Sequence, residues 1–399
     1  MICAVVLSLY LACTGCEQPL RSAPQTSLLQ VATWNLQALF DDKDDGTEYE
    51  DYRSNSGWTV DKYRTRLQRF GEALAHWPSI QNVKGPAGPD ILALIEVENT
   101  QVIQDLLAGP LNACAYTSAS FASQQGSPLG LAILSRYPIL NSTTHIIQAG
   151  TALLPRPVLE VQIRLPGKQG CDCLITVFVC HWKSKLGNVE ESALLRRAGA
   201  QVVNRRITDL CNSENQSQPF IMILGDLNES YDEFYREGQQ RITAVIPWNQ
   251  NALISDSGNF STGNRNSMIT DSDLLEDLLS TDPYQEHLPF PDIPSFILTA
   301  ASPLDSSYLK QGQLLFYSPW YHADTFKGSY AYQRQWETID HILLSPAFFQ
   351  PSQWKYRSFS VLDLPPFTNS AQFPNSYNPR TGTGLSDHLP IMVHLELTP

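Results

Sequence analysis

Eight short apolar runs, several with a carboxylate, amide or imidazole at one end, constrain this 399-residue chain more than any other feature. They are LQVATWN (29–35), ILALIE (91–96), LAILS (131–135), VLEVQIRL (158–165), LITVFVCH (174–181), FIMILGD (220–226), TIDHILLS (338–345) and PIMVHLEL (390–397). Some are almost continuously apolar, which implies burial on both faces; others alternate, which implies a half-buried sheet. Two amphipathic helices stand between them. In DKYRTRLQRFGEALAHW, Tyr63, Leu67, Phe70 and Leu74 share one face, with Asp61 as the expected cap and Pro78 as the expected stop. In EESALLRRAGAQVVNRRITDL the stripe is Leu194, Ala198, Val202 and Ile207, and Arg196, Arg197, Arg205 and Arg206 take the other face. Strands mixed with helices, without strict βαβ alternation, predict an α+β layered protein with more than one sheet. From about 232 to 330 the periodicity weakens into polar, Pro- and Asn-rich sequence, expected to be an insertion in a single domain spanning 29–399.

Charge bears on partners. The net charge is −13 and the pI near 5.0, so contact with a polyanion requires a local basic patch. The N-terminus carries a targeting signal. Residues 2–12 form an apolar run too short to span a bilayer, and 1–15 reads as a signal peptide. CTGC at 13–16 resembles a bacterial lipoprotein cleavage box, which makes Cys16 the lipidated first residue and 16–28 a tether. The chain is therefore expected to be exported and anchored to a membrane, periplasmic or at the cell surface. The absence of Lys or Arg before the apolar run, and Cys13 where Leu is usual, depart from that pattern. An ordinary secreted protein and a buried N-terminal strand are the alternatives. Beyond the leader, Cys114, Cys171, Cys173, Cys180 and Cys211 allow at most two disulfides, or buried free thiols; CDC at 171–173 does not have zinc-site spacing.

Chemistry gathers at the strand ends. Asn35 closes the first run, Glu96 the second, His181 the fifth, and Asp226 with Asn228 the sixth; Asp340 lies in the seventh, and Asp387-His388 precede the eighth. Any one of these has a bland explanation as a turn residue, an edge charge or a hydrogen-bonded core histidine. Together they suit one chemistry. Oxygen ligands such as Asp, Glu and Asn favour a hard cation like Mg2+ over zinc. A His with an Asp partner can exchange protons at a phosphate. A cation, a carboxylate that orients water, and amide and imidazole donors amount to a phosphodiester-hydrolysis site.

The ordered set WN, EVEN, HWKS, GDLN, ID and SDH resembles the endonuclease/exonuclease/phosphatase superfamily, the deoxyribonuclease I-like proteins, from about residue 29 to 397. The resemblance implies a four-layer α/β/β/α sandwich of two mixed, mainly antiparallel sheets flanked by helices. It also implies roles. Glu96 is the principal metal ligand, assisted by Asn35 and Asp387. Asp226 orients or deprotonates the attacking water, and Asn228 holds a phosphate oxygen. His388 is the acid/base or transition-state donor, with Asp340 holding its ring. His181 contacts the phosphate or protonates the leaving group. Mg2+ is the expected cofactor, with Mn2+ or Ca2+ as alternatives.

Fold does not fix the substrate. Inositol 5-phosphatases typically follow the GDxN Asn with an aromatic-Arg pair and carry Asp-Arg near the ID strand. Here Glu229-Ser230 and Asp340-His341 stand instead, against that class. No segment resembles the sphingomyelinase specificity motifs. NLQALFDDKDDG, VENT and GSYAYQRQWETIDHILLS look like bacterial exported members described as nucleases. Lys183, Lys185, Arg196 and Arg197 are the candidate patch for nucleic acid; a solvated, salt-bridged helix face is the competing explanation. A surface-anchored nuclease is thus the first expectation. A phosphatase or sphingomyelinase-like phosphodiesterase using the same site is the second, and a non-catalytic binding lipoprotein the third. The expected partners are nucleic acid and, through the anchor, a membrane; no protein partner is expected.

Overall fold

Alternation in the apolar runs becomes two sheets laid face to face. The computed structural model describes residues 28–81, 86–149, 152–213, 219–236, 243–247, 297–300, 314–323, 325–350 and 353–397. The leader, Cys16, the tether as far as residue 27 and most of the 232–330 insertion lie outside them.

In chain order the strands and helices are β1 (Leu28–Leu39), α1 (Val60–Gln81), β2 (Ile91–Val97), α2 (Thr100–Ala108), β3 (Ser118–Ala122), β4 (Gly130–Ser135), β5 (Ile139–His145), β6 (Gln148–Ala149), β7 (Ala152–Leu153), β8 (Val158–Pro166), β9 (Asp172–His181), α3 (Val189–Ser213), β10 (Phe220–Asp226), α4 (Glu233–Arg236), β11 (Val245–Pro247), β12 (Ile297–Ala300), β13 (Leu314–Tyr317), β14 (Tyr330–Tyr332), β15 (Gln335–Glu337), β16 (Asp340–Leu344), β17 (Trp354–Val361) and β18 (Ile391–Leu397). Six form one sheet, ordered β17-β18-β1-β2-β4-β3. It is antiparallel except for the β1–β2 pair. Eight form the other, ordered β11-β12-β13-β16-β10-β9-β8-β5, with parallel pairs at β9–β10, β11–β12 and β12–β13. Both are mixed sheets, as the resemblance implies.

The period of two decides which side chains meet which layer. Ile175, Val177 and Val179 of β9, with Met222 and Leu224 of β10, share the core with Val31 and Ile91 of the first sheet. The intervening Phe178, Ile221 and Ile223 face the other way, against Ala198, Val203 and Ile207 of α3. On the far side of the first sheet α1 presents its predicted stripe, and Phe70 meets Trp34 edge-on with centroids 5.1 Å apart. The layers therefore run α1, six-stranded sheet, eight-stranded sheet, α3. Truncating a ring such as Phe70 to Ala costs roughly 3–5 kcal/mol in a close-packed interior.

Local details differ from expectation. Thr59, not Asp61, caps α1, its Oγ1 accepting from the Lys62 N–H at 3.3 Å. Pro78 does not stop the helix, which runs on to Gln81; a proline this close to the C-terminus deletes one helical hydrogen bond without preventing the last turn. The face that α3 docks is wider than the predicted stripe: Ala198 and Ile207 of that stripe are buried, and so are Ala193, Arg196, Arg197, Ala200 and Val203. Edge strands such as SASFA (β3) were hidden by half-exposed, mostly small residues. Cys114, Cys171, Cys173 and Cys180 are free thiols, with Cys114, Cys173 and Cys180 buried.

Candidate active site

Three neighbouring strands of the eight-stranded sheet end together. Asp226 of β10 pairs in register with His181 of β9 on one side and with Asp340 of β16 on the other. Each continues the inward-facing set of its own strand, since Val179, Leu224 and Ile342, two residues away, lie in the inter-sheet core. All three side chains therefore enter the space between the sheets at one end. The GD of GDLN is a steric requirement. Gly225 has φ +128, and a Cβ there would lie 2.0 Å from the Cys180 carbonyl oxygen. After Asp226 the chain turns tightly: Asn228 has φ 54, and its N–H donates to Asp226 Oδ1 at 2.9 Å.

The six-stranded sheet supplies Asn35 and Glu96 through an irregularity. β1 and β2 pair at Asn35–Ile95 and again at Leu39–Val97, so Leu36, Gln37 and Ala38 bulge opposite the single residue Glu96. Gln37, Ala38 and Glu96 all adopt left-handed φ, at 53, 57 and 64. The bulge aims two N–H groups into the site. Gln37 N–H donates to Asn35 Oδ1 at 3.0 Å, and Ala38 N–H to Glu96 Oε2 at 2.7 Å. The Asn35 amide donates in turn to Asp226 Oδ2 at 3.1 Å, joining the sheets. His181 Nε2 stands 3.6 Å from both Glu96 Oε1 and Asp226 Oδ2.

His388 enters from the loop before β18. Its Nδ1 bonds Asp340 Oδ2 at 2.8 Å, and Ser329 Oγ donates to that same oxygen at 2.6 Å. Tyr330 lies against the imidazole with centroids 4.6 Å apart. Trp34 Nε1 donates to the His388 carbonyl, while Ser386 Oγ accepts the His388 N–H and donates to the Asn35 carbonyl. The protonation pattern divides the two histidines. Burial opposes charge on His388, but the charge and hydrogen bond of Asp340, then Asp387 and Asp226, outweigh it and raise the group to about 10. Burial, with Arg156 and His388 nearby, drives His181 well below its ordinary value. His388 is thus an imidazolium and His181 a neutral ring at pH 7. Burial lifts Asp226 to about 7; His388 pulls it down, and Asp340 and Glu96 push it up. Asp387, at the mouth of the cleft, is raised by desolvation despite His388.

Glu96, Asp226, Asp340 and Asp387 repel one another in this space, an arrangement that a divalent cation relieves. The donors fit a hard ion because they are carboxylate and amide oxygens. Asp340 Oδ1 is buried with no hydrogen-bond partner. Asp226, Asp340 and His388 bring one donor atom each within 4.8 Å of one another, but a protonated His388 is a proton donor, which leaves the cation to the carboxylates.

Not every expected residue joins. Arg196 is 1% exposed and pairs with Glu229 at 2.7 Å, and Arg197 is buried. The docked face of α3 extends over both residues, so neither offers a guanidinium to a substrate. Lys185 is held at 2.7 Å by Glu233 and at 2.7 Å by Glu337. Burial, then the nearby charges of Arg156 and Arg196, lower the ammonium of the half-buried Lys183. Arg156 was not singled out in the sequence. It donates to the Trp182 carbonyl, which also accepts from Asn228 Nδ2 at 3.1 Å. No motif marks it, because it comes from an irregular segment before β8. A cavity of about 320 Å³ opens beside Asp387, lined by Tyr330, Arg334, Phe373, Pro374 and Ser376. Phe373 is backed by Trp336, stacked at 5.4 Å.

A family profile described as Endonuclease/Exonuclease/phosphatase family matches residues 30–243. Among solved structures, a humanized D. rerio TDP2 carrying 14 mutations is 13% identical, covers 93% of this chain and 100% of its own, and gives a TM-score of 0.47. Truncated Caenorhabditis elegans TDP2 is 13% identical, with coverage of 92% and 98% and a TM-score of 0.46. The human Nocturnin catalytic domain with bound sulfate anion is 15% identical, with coverage of 93% and 95% and a TM-score of 0.43. No curated protein matches the sequence. With more than half of its length matched by the family profile, the chain belongs to the endonuclease/exonuclease/phosphatase family.

Proposed function

We propose that the protein is a Mg2+-dependent phosphodiesterase that cuts nucleic acid. The observation carrying this reading is the pairing of a protonated His388 with a high-pKa Asp226, Nε2 to Oδ2 4.0 Å, in a cleft whose remaining ligands are oxygens. One group is ready to give a proton and the other to take one. Glu96 and Asp387, assisted by Asn35, hold the cation, which when bound neutralises phosphate charge. Asp226 accepts the proton of the attacking water. His388 donates to the phosphoryl oxygens, and Asp340 fixes its ring. Asn228 and the neutral His181 direct N–H groups to the phosphate or leaving oxygen.

Nucleic acid is favoured by what surrounds the cleft. Tyr330 and Phe373 offer flat faces to a base in the cavity beside Asp387, and Arg334 offers charge to a neighbouring phosphate. Arg156 supplies positive charge to His181 and Asp226, and Lys183 follows His181 by two residues. The proposal extends to location: residues 1–15 direct export and Cys16 carries the lipid that holds the enzyme at a membrane.

The test incubates the chain from Glu17 onward with circular plasmid DNA, sphingomyelin vesicles and a soluble inositol phosphate, each with Mg2+ or EDTA, beside Asp226→Ala. Mg2+-dependent nicking absent from the variant is the expected result. Turnover of the lipid or inositol phosphate alone would overturn the substrate and keep the catalytic roles. Silence on all three would remove the enzymatic reading.

A further inference from the structure

Arg66 of α1 is wholly enclosed, 0% exposed, yet its hydrogen bonds all go to neutral oxygens. One terminal nitrogen donates to the carbonyls of Leu36 and Gln37, each at 2.6 Å; the other donates to the Ala38 carbonyl at 2.8 Å and to Tyr52 Oη at 3.3 Å. Its Nε is buried without a partner. The ring of Tyr377 lies 3.8 Å from the guanidinium carbon. A cation buried without a counter-ion is costly, and three consecutive carbonyls seldom converge on one group.

Those carbonyls belong to the bulge that faces Glu96. The left-handed φ of Gln37 and Ala38 turns every carbonyl of the segment towards Arg66 and two N–H groups towards Asn35 and Glu96. The Leu36–Gln37 and Gln37–Ala38 peptides are thus dipoles with the oxygen on the buried cation and the N–H on the active-site side. Gln37 is clamped from a second direction, its Oε1 accepting from the Tyr377 N–H at 2.7 Å and from Ser376 Oγ at 3.2 Å. Strained backbone of this kind persists only where the surroundings over-determine it, and Arg66 is the group that satisfies all three outward carbonyls.

We propose that Arg66 is a positioning residue of the active site: by fixing the Leu36–Ala38 peptides it orients the Glu96 carboxylate and thereby sets the affinity of the cleft for its divalent cation. This rests on the assignment of Glu96 as a cation ligand. A Lys keeps the charge but cannot reach three carbonyls with a planar fork, and a Met keeps only the volume.

The test compares the full chain with Arg66→Lys and Arg66→Met in three measurements: Mn2+ binding by calorimetry without substrate, amide exchange over residues 36–40, and kcat and KM across a Mn2+ titration. The expected result is native circular dichroism and faster exchange at Gln37 and Ala38. Mn2+ affinity should fall about 10- to 100-fold, the range for partners that orient metal ligands, with kcat largely recovered at saturating Mn2+. Affinity within twofold of the wild type in a folded variant would overturn the proposal. Should both variants fail to fold, Gln37→Ala loosens the same bulge with Arg66 in place, and unchanged Mn2+ affinity there would also overturn it. A wild-type chain that binds no Mn2+ would instead remove the cation role of Glu96 and the proposal with it.

Discussion

The main-chain N–H of Ala38 donates to Glu96 Oε2 at 2.7 Å, across a bulge in which both residues hold left-handed backbone. The carboxylate is thereby tied to the protein by one oxygen, while Oε1 faces His181. A ligand fixed in this way before the ion arrives needs little reorganisation to bind it.

Glu96→Gln keeps the shape and removes the charge. The Mg2+ concentration for half-maximal activity should rise at least about tenfold, with the fold unchanged. A Mg2+ titration superimposable on that of the wild type would exclude Glu96 as a ligand.

His388→Ala should lower kcat by about 10²- to 10⁴-fold, the usual contribution of general acid–base groups. Asp340→Asn should lose much of the same factor, because Asp340 both orients the imidazole and keeps it protonated. A loss below about tenfold in His388→Ala, in single-turnover assays, would refute the proton-donor role.

Arg156, whose charge reaches His181 and Asp226, and Lys183 are, with Arg334, the cations that the proposal sets near the substrate. Each that meets a phosphate should contribute about 0.9 to the slope of log affinity for duplex DNA against log salt. Arg156→Ala and Lys183→Ala should each flatten that slope. Arg196→Met should leave it unchanged and destabilise the fold by roughly 3–5 kcal/mol, because it strands the buried Glu229. Urea unfolding and filter binding separate the two effects; a flattened slope in folded Arg196→Met would restore that residue to the binding surface.

His341 sets an acid limit on stability. Its Nε2 donates to the Glu229 carbonyl at 2.7 Å, and its Nδ1 is buried without a partner. Burial holds it down to about 4 from an ordinary 6.5. Between those values the unfolded chain binds the extra proton, so stability rises with pH through this window. It is lost as pH falls from about 6.5 to 4, at up to ~1.4 kcal/mol per pH unit. Unfolding free energies measured from pH 4 to 7 should show this slope in the wild type and less of it in His341→Leu. Parallel profiles would remove His341 as the cause.

The sequence by itself determined the apolar runs, the polar residues that close them and a layered α+β protein with more than one sheet, because alternation and strand-end chemistry are local patterns along the chain; the ordered motifs carried the resemblance to the family, and that resemblance implied the sandwich. It also gave the α1 stripe, where Tyr63, Leu67, Phe70 and Leu74 are all buried. Tertiary structure alone decided the register that sets His181, Asp226 and Asp340 side by side, since pairing between strands distant in sequence leaves no periodic trace. It also decided which face of α3 is dry: an arginine buried against a glutamate 33 residues away reads in sequence as a solvated charge. Arg66 and Arg156 were invisible for a related reason. Each is held by main-chain carbonyls, and any residue type supplies a carbonyl.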